Sequence, residues 1–500
     1  MLLGYQCAKV EWFMQQKEKE YQLLSTVMRD PLLKDQWYIE RPTYPTFNIT
    51  SVWPKYTGKG ILVAVLDNGV NGNHPELSSN YDASPSYGYT ENDLVPVPSG
   101  TTVTGVEGAW VLFISFAAGN GGLFQDNCAY NGYVNNIDTI AITCLNKNCS
   151  SPTYAEDCSG IMASTYSSDV LKGLRITVDK ESGCVDSFGG TSAAAAMASG
   201  LIALTLETNP YLAWRDVLHV IARSARPAPG GLPLENGEWV RNKAGLTFSK
   251  SYGFGLMDTG KMVDVAKQWR TFPQQRRCKF KCQDENRFDS ICASEVSVTF
   301  ANCEIKFVEH VQVKVNLDFA RRGDLYLELE APSGTKSPLT NRRPIENLTG
   351  FKNLTNWVIA TLFHWGENPG GQRKLVVGNL DTKYQTNGTL YSWSLILYGT
   401  SEDPLSRNPH APTGSVNFTS PTSITTTTYG AKETATTSQG STSKTGLQNE
   451  FQLALISVGA LTLVAVCAVW GAAVRYLAYC TVSLSCSDAA MVTRRKSTEG

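Results

Sequence analysis

Two polar residues at strand ends and one at a helix start constrain the fold of this chain more than any other feature. The apolar run of residues 61–66 predicts a buried strand that ends on the carboxylate of Asp67. Asn120 follows a second apolar run in a glycine-rich turn, and Ser192 begins a predicted helix behind two glycines. Up to about Trp269 such strand-like runs alternate with helical patterns, which predicts a parallel sheet covered by helices on both faces. The elements predicted most clearly here are the strands 61–66 and 111–116 and the helices 192–208 and 212–221.

The three polar residues have the chemistry of a serine hydrolase. In such an enzyme a carboxylate orients a histidine, the histidine takes the proton of a serine nucleophile, and an amide stabilises the oxyanion. A serine at a helix N-terminus behind small residues gains exposure and a favourable dipole. The chain order of Asp67, Asn120 and Ser192 is that of a subtilisin-type serine protease, so we predict all three as catalytic, with Asn120 at the oxyanion.

The pattern changes after Pro273. Residues 305–400 read as short alternating strands separated by Gly, Pro and Asn turns, which predicts an all-β sandwich. Residues 414–446 are dominated by Ser and Thr and are typical of an O-glycosylated stalk.

An uncharged apolar stretch, residues 453–474, is long enough to cross a bilayer, although a buried core helix is the alternative interpretation. Basic residues follow it, so the positive-inside rule predicts a cytoplasmic tail and a lumenal or extracellular region over residues 1–450. The first residues of the chain lack the basic start and the apolar run of a signal peptide. We therefore expect either a partial product of its gene or a product that never enters the secretory route.

Charge and cysteine content favour a secreted protein. The net charge of −1 gives no indication of nucleic-acid binding. Thirteen cysteines and several N-x-[ST] sequons, all before the predicted span, indicate an oxidising compartment. The sequons begin at Asn48, Asn148, Asn347, Asn353, Asn387 and Asn417.

Several motifs together are more specific than any one of them. In the first region they include Leu66-Asp67-Asn-Gly, Asn73-His74-Pro-Glu-Leu, Ala118-Gly-Asn120-Gly-Gly, Gly190-Thr-Ser192-Ala and Trp214-Arg-Asp216-Val. In the second they include Arg321-Arg-Gly-Asp324-Leu, Pro332-Ser-Gly-Thr335 and His364-Trp365-Gly-Glu. Over roughly residues 10–400 the chain thereby resembles the proprotein convertases, the furin and kexin branch of the subtilisin-like proteases. The resemblance implies a catalytic domain followed by a P domain, and calcium-dependent cleavage of secretory precursors after paired basic residues in the Golgi and beyond.

That family carries its histidine in a His-Gly-Thr motif, and this chain has no such motif between Asp67 and Ser192. His74 is the only histidine in the interval, and it matches a structural Asn-His-Pro turn. Asp67 and Asn120 are also closer in sequence than the family fold requires, which indicates a lost block near residues 90–105. Without the histidine, catalysis should fall by several orders of magnitude.

Other departures concern metal and specificity. The resemblance makes Asp126, Glu156 and Asp30 weak candidates for calcium ligands, with other acids of the family absent here; ordinary surface carboxylates are the alternative. Asn68 and Asn131 stand where the family has acids, so selection of arginine should be weakened.

The cysteines leave several pairings open. The resemblance implies a disulfide between Cys128 and Cys158 and leaves Cys184 without its family partner. Cys144 and Cys149 are near enough in sequence to pair locally. The remaining cysteines of the folded regions, Cys278, Cys282, Cys292 and Cys303, are expected to staple the start of the β domain, with a zinc site at Cys278-x₃-Cys282 as the alternative.

The predicted organisation is a propeptide remnant (1–22), an incomplete α/β subtilisin-like peptidase domain with an internal deletion near 90–105 (23–272), an all-β, jelly-roll-like P domain (273–405), a Ser/Thr-rich stalk (406–452), a single transmembrane helix (453–474) and a cytoplasmic tail (475–500). The predicted function is that of a furin/kexin-like, Golgi-resident type I membrane endoprotease with calcium as cofactor and protein precursors with basic cleavage sites as partners. We expect this chain to be inactive as written. The alternatives are a membrane glycoprotein that binds partners as a decoy and an adhesion molecule built on the sandwich.

Overall fold

The computed structural model describes much of the two predicted folded regions. The described residues are 33–39, 45–67, 70–75, 77–83, 87–88, 104–105, 112–168, 174–176, 185–229, 234, 237–282, 286–288, 292–299, 301–344, 346, 353–380, 387–404 and 490–495. The strands in chain order are β1 (Ile61–Leu66), β2 (Tyr87–Gly88), β3 (Thr104–Gly105), β4 (Leu112–Ala117), β5 (Thr139–Leu145), β6 (Ala163–Tyr166), β7 (Leu174–Ile176), β8 (Val185–Phe188), β9 (Val240–Arg241), β10 (Thr247–Phe248), β11 (Arg276–Cys282), β12 (Asn286–Phe288), β13 (Cys292–Val298), β14 (Phe307–Phe319), β15 (Leu325–Glu330), β16 (Lys336–Pro338), β17 (Asn353–Thr361), β18 (Gly371–Asn379), β19 (Gly388–Thr400) and β20 (Ala490–Arg495). The α-helices are α1 (Thr191–Thr208), α2 (Trp214–Ser224) and α3 (Thr259–Gln268), and single 3-10 turns lie at Leu33–Asp35, Gly122–Phe124, Cys128–Tyr130 and Arg322–Asp324.

The first region is built on a sheet with the strand order β1-β20-β4-β5-β6. β4, β5 and β6 are parallel, as predicted from the alternation of strands and helices, whereas β20 is antiparallel to both of its neighbours. The predicted strand 61–66 is β1, and the predicted strand 111–116 is β4 shifted by one residue. Every residue of β5 is buried, as expected for a central strand covered on both faces. The helix predicted from Ser192 is α1, which packs across β1, β4, β5 and β6.

β1 and β4 are separated by the width of one strand. β20 pairs antiparallel with both, so that Leu66 and Phe116 both lie opposite Ala490. Because adjacent strands are about 4.8 Å apart, β1 lies about 10 Å from β4. In its described residues the chain between β1 and β4 adds no strand to this sheet, and β20 pairs with the backbone groups that both strands direct into the gap. Residues 490–495, which the sequence analysis assigns to a cytoplasmic tail, form β20 in the structure and pair with the facing edges of β1 and β4.

The second region is a β-sandwich, as the alternating pattern of residues 305–400 predicted. One sheet has the order β11-β19-β14-β17, with β12 also paired to β19, and the other has the order β13-β18-β15-β16. Their pairings are antiparallel. Alternate residues along β14 and β15, such as Val313 and Leu327, are buried. They belong to one hydrophobic core that also contains Phe116 and Ile161 of the first region, so the two regions share a continuous interior.

Two disulfides are formed in the described part of the chain. The bond between Cys128 and Cys158 confirms the pair that the resemblance implied. The bond between Cys278 and Cys303 ties β11 to the segment before β14, which confirms a staple at the start of the sandwich. Because Cys278 is consumed in this disulfide, the zinc alternative at Cys278-x₃-Cys282 is wrong.

The local pairing of Cys144 with Cys149 is also wrong, because both residues carry free thiols. The Cys144 thiol donates a weak hydrogen bond to the hydroxyl of Tyr154 at 3.7 Å, and the Cys149 sulfur lies 3.6 Å from the hydroxyl of Tyr166. Cys184 and the side chain of Cys292 lie outside the described residues.

Among the described residues, no helix is both long and apolar enough to cross a bilayer. The predicted span 453–474, the propeptide remnant 1–22 and the stalk 406–452 all lie outside those residues.

Candidate active site

Asp67 and Asn120 lie beyond the same edge of the central sheet. β1 and β4 are both antiparallel to β20 and are therefore parallel to each other, with Leu66 and Phe116 at the same level. Asp67 follows β1 directly and is exposed, whereas Asn120 follows β4 after a short turn and is half-buried. The carboxyl ends of parallel strands are where open α/β sheets build their binding sites.

Ser192 lies in the first turn of α1, where backbone N–H groups are not used by the helix. Gly190 immediately precedes the helix with φ 92°, a conformation that favours glycine. A Cβ atom on Gly189 would lie only 1.7 Å from Ser168 Oγ, so the backbone of this turn passes directly over a neighbouring segment. These two glycines are what allow the chain to turn sharply into the serine.

Asn120 is held against the start of that helix by Thr191. Its Oδ1 accepts hydrogen bonds from the Thr191 backbone N–H at 2.8 Å and from the Thr191 hydroxyl at 3.0 Å. The same Thr191 oxygen accepts the N–H of Gly119 at 3.2 Å. Because Oδ1 is fixed in this way, the donor end of the amide, Nδ2, is oriented beside Gly190, where an added Cβ would lie 3.3 Å from it. An amide donor fixed next to a serine is the arrangement that an oxyanion hole requires.

Tyr154 supports this turn and was missed by the sequence analysis. Its hydroxyl accepts the N–H of Gly190 at 3.2 Å and donates to the carbonyl of Ser168 at 2.6 Å. Burial raises the pKa of Tyr154, so the hydroxyl stays protonated and can keep both roles. Tyr154 and Gly190 are 36 residues apart, and no local pattern indicates this contact.

The histidines of the described residues lie in other environments. His74 is buried in a turn, where its carbonyl accepts the N–H groups of Leu77 and Ser78, which agrees with the structural role expected for it. His219, His310 and His364 are buried where the sandwich meets the first region, the first two with their rings against Trp365. His410 is outside the described residues.

The two described candidates for calcium ligands, Asp126 and Glu156, are neighbours but are used by the protein itself. Asp126 Oδ1 accepts the N–H of Asn127 at 2.7 Å and the guanidinium of Arg343 at 2.7 Å. Glu156 Oε1 accepts the N–H of Gly121 at 2.9 Å. A Cβ on Gly121 would lie 2.9 Å from Glu156 Oε1 and 3.1 Å from Asp126 Oδ2, so the two carboxylates converge there.

These residues do not fit a calcium ion. Calcium takes about six to eight oxygen ligands, and no group of three or more Asp, Glu, His or Cys side chains in the described part of the chain is arranged to hold a metal. Asp30, the third candidate, lies outside that part.

Asn131 is occupied by its own turn. Its Oδ1 accepts the N–H of Tyr133 at 2.9 Å, so the side chain closes the turn and brings no charge. Asn68 is outside the described residues.

A cluster of buried charge joins the two regions, and the sequence analysis did not predict it. Glu309 of β14 is 2% exposed and accepts hydrogen bonds from Arg215 Nε at 3.0 Å, Arg215 Nη2 at 2.5 Å, His219 Nε2 at 3.0 Å and Gln275 Nε2 at 2.8 Å. Burial alone would raise the pKa of Glu309, but the hydrogen bonds and charges of its partners hold it well below its usual range. Burial lowers the pKa of His219, so its imidazole is neutral and donates from Nε2. Arg215 and His219 are four residues apart on one face of α2, and that spacing is the signal that could have identified the seam.

Comparisons with known proteins agree with this architecture. The subtilase family model matches residues 101–255, and the proprotein convertase P-domain model matches residues 308–397. Human proprotein convertase subtilisin/kexin type 4 is 32% identical over 509 residues, which cover 81% of this chain and 65% of that protein. The mouse type 4 protein is 31% identical and is covered to 75% of its length, with 81% of this chain. Rat proprotein convertase subtilisin/kexin type 5 is 33% identical over 80% of this chain, but only 28% of that protein is covered. The chain covers 65% of the length of human type 4 and 28% of the length of rat type 5, which is less than two thirds of each protein.

Proposed function

Because this chain belongs to the proprotein convertase family of subtilisin-like serine proteases, we propose that its gene encodes a serine endoprotease of the secretory route that cleaves precursor proteins after paired basic residues. The observation that supports this most strongly is the arrangement of Asn120, Thr191 and Ser192 at the start of α1. An amide donor is held beside a serine in the first turn of a helix, and a carboxylate, Asp67, follows a parallel strand of the same sheet.

The chain itself lacks the group that would take the proton of Ser192. A serine hydroxyl is a weak nucleophile unless a base accepts its proton, and Asp67 has no histidine to orient in a His-Gly-Thr motif. Loss of that histidine alone lowers kcat on the order of a million-fold in a subtilisin-type triad. We therefore propose that this sequence retains the oxyanion side of the site without the base side and is inactive as an endoprotease.

Calcium enters the proposal only through the family. The residues present do not fit the ion, and no step of the chemistry is assigned to it here. Selection of basic substrates is weakened as well, because Asn131 has no negative charge with which to attract a guanidinium.

We further propose that the protein is a glycosylated, single-pass type I membrane protein of the Golgi, anchored by residues 453–474. This arrangement puts residues 490–495 across the bilayer from β1 and is incompatible with the pairing of β20 in the same molecule, so the anchored protein would need another strand between β1 and β4 to keep Asp67 and Asn120 at one edge of the sheet. Protease added outside sealed microsomes distinguishes the two. We expect it to remove an epitope tag placed after Gly500; a protected tag would refute the anchor and favour the paired strand.

Sequencing the transcript and the genomic locus across residues 85–110 tests the proposed function of the gene. We expect an in-frame exon that carries a His-Gly-Thr motif and further strands for the gap between β1 and β4. Absence of such an exon would refute the proposal and favour the decoy alternative.

The decoy alternative has one observation in its favour. The described residues of the sandwich form two antiparallel sheets that share a core with the first region, so the part that would bind partners is formed where the catalytic base is missing. Adhesion through the sequence Arg322-Gly-Asp324 is disfavoured. The Asp324 carboxylate is 0% exposed and is bound by Arg321 at 2.8 Å and Arg342 at 3.1 Å, so it does not reach a partner protein.

A further inference from the structure

A guanidinium from the sandwich reaches Asp126, one of the two described carboxylates at which the family resemblance places calcium. Arg343 donates from both Nε and Nη2 to Asp126 Oδ1, each at 2.7 Å, across 217 residues of sequence. Its side chain is 9% exposed, so most of the bonded guanidinium is removed from water. The contact is therefore a charge-assisted link between a buried guanidinium of the sandwich and a partly exposed carboxylate of the loop that follows Asn120.

The surroundings of Arg343 hold it in this position. Its Cζ lies 3.8 Å from the centre of the Tyr130 ring, close enough for a cation–π contact. That ring in turn stacks on Trp357 of β17 at 4.6 Å. The backbone N–H of Arg343 donates to the carbonyl of Gly323 at 2.7 Å, which fixes the main chain. Arg343 is thus held by Tyr130 on the face of its guanidinium, by Asp126 at its N–H groups and by Gly323 at its main chain.

Two guanidinium groups and two carboxylates of this cluster balance in charge, while Glu156 binds the N–H of Gly121. Arg343 Nη1 lies 3.2 Å from Glu346 Oε1. Glu346 Oε2 also accepts a hydrogen bond from Arg322 Nε at 2.6 Å. Two guanidinium groups therefore face the two carboxylates of Asp126 and Glu346. A divalent cation placed on Asp126 would share that carboxylate with the positive charge of Arg343, and like charges at such a distance repel.

We propose that Arg343 takes the place of a calcium ion at Asp126, so that the loop between Asn120 and Tyr133 is fixed to the sandwich by a cation of the protein itself. Because the arginine occupies the place of the ion, the oxygen atoms around Asp126 are not arranged to bind calcium. The proposal concerns how the two regions are joined, and it holds whether or not the chain cleaves peptide bonds.

Thermal unfolding of the full chain in detergent micelles tests the proposal, with calcium chloride at millimolar concentration and with EGTA. The variants are Arg343→Gln, Asp126→Asn and the combination of both. Arg342→Gln is the matched control. Arg342 is next to Arg343 in sequence, but its guanidinium pairs with Asp324 inside the sandwich and is half exposed.

We expect Arg343→Gln to lower Tm by roughly 5 °C, because it leaves a partly buried carboxylate without its partner. The combined variant should unfold no more than about 1 °C below the weaker of its two parents, since both changes remove one interaction. Arg342→Gln combined with Asp126→Asn should instead show additive losses. Additive losses for Arg343→Gln with Asp126→Asn would overturn the proposal.

The calcium comparison provides an independent outcome. Any rise in Tm from calcium should be the same in the wild type and in Asp126→Asn, since other sites would be unaffected. A rise that is larger in the wild type by more than about 2 °C would show that Asp126 binds calcium, and the proposal would be wrong. This comparison uses a nearly isosteric change at a partly exposed residue, so it remains decisive if Arg343→Gln does not fold.

Discussion

Replacing Glu309 by Gln tests whether buried charge holds the two regions together. Glu309 and Arg215 are 2% and 11% exposed, so both charges are largely removed from water. Glutamine keeps the size and an acceptor oxygen but removes the negative charge, which leaves the Arg215 guanidinium buried without a counter-charge. Removing one partner of a buried ion pair costs about 3–5 kcal/mol.

We take the lower end of that range, since Arg215 also donates to the carbonyl of Pro273 at 2.8 Å and keeps that bond. A loss of about 3 kcal/mol corresponds to a fall in Tm of roughly 3–4 °C for a unit of about 400 residues. Differential scanning calorimetry of the full chain measures it. The control is Asp264→Asn, which breaks an exposed pair with Lys267 and should change the free energy of unfolding by less than about 1 kcal/mol.

A second variant separates lost charge pairing from lost packing. Arg215→Met combined with Glu309→Gln removes the uncompensated cation, so it should be no less stable than Glu309→Gln alone. If Glu309→Gln costs no more than the exposed control, the charge cluster does not stabilise the seam and the argument fails.

Three further outcomes follow from the structure. Burial lowers the pKa of His310 and His364 to about 4, below the value of about 6.5 in the unfolded chain. The contribution to stability is therefore complete above about pH 6.5 and falls by roughly 3 kcal/mol per histidine as the pH drops to about 4. Urea unfolding at neutral pH and at about pH 5 measures this loss, and equal midpoints would contradict it. Burial raises the pKa of Cys144 to about 12, so iodoacetamide should label it only after denaturation, and labelling of the native protein seen by mass spectrometry would refute its burial. Asn353 and Asn48 are both exposed, but the Asn48 Nδ2 donates a hydrogen bond to Asp258 Oδ1 at 3.4 Å. Glycopeptide mapping should therefore find a glycan on Asn353 and none on Asn48, and the reverse pattern would be incompatible with this packing.

The sequence predicted strands and turns well where the pattern of apolar and polar residues along the chain decides which side chains are buried. The run at residues 61–66 is uniformly apolar and bounded by polar residues, and it is a strand over the same residues in the structure. The alternation around Val313 and Leu327 likewise predicted a sandwich, because period-two burial is a property of the strand itself. The glycines before Ser192 predicted the sharp entry into α1 for a similar local reason.

Contacts between distant parts of the chain were not predictable in this way. Arg215 and Glu309 are 94 residues apart, and nothing near either residue indicates which charge it meets. The pairing of β20 depends on a gap in the sheet that no property of residues 490–495 reveals. The proximity of Cys144 to Cys149 in sequence predicted a bond that their surroundings do not form, since each sulfur lies beside a tyrosine hydroxyl instead.

The most direct test of the account is hydrolysis of a fluorogenic Arg-Arg peptide by the full chain, in the presence of calcium, compared with its Ser192→Ala variant. We predict equal, background rates for both proteins, because the chain retains the serine and its oxyanion amide without a base. Turnover by the wild type that disappears in Ser192→Ala would contradict the central claim.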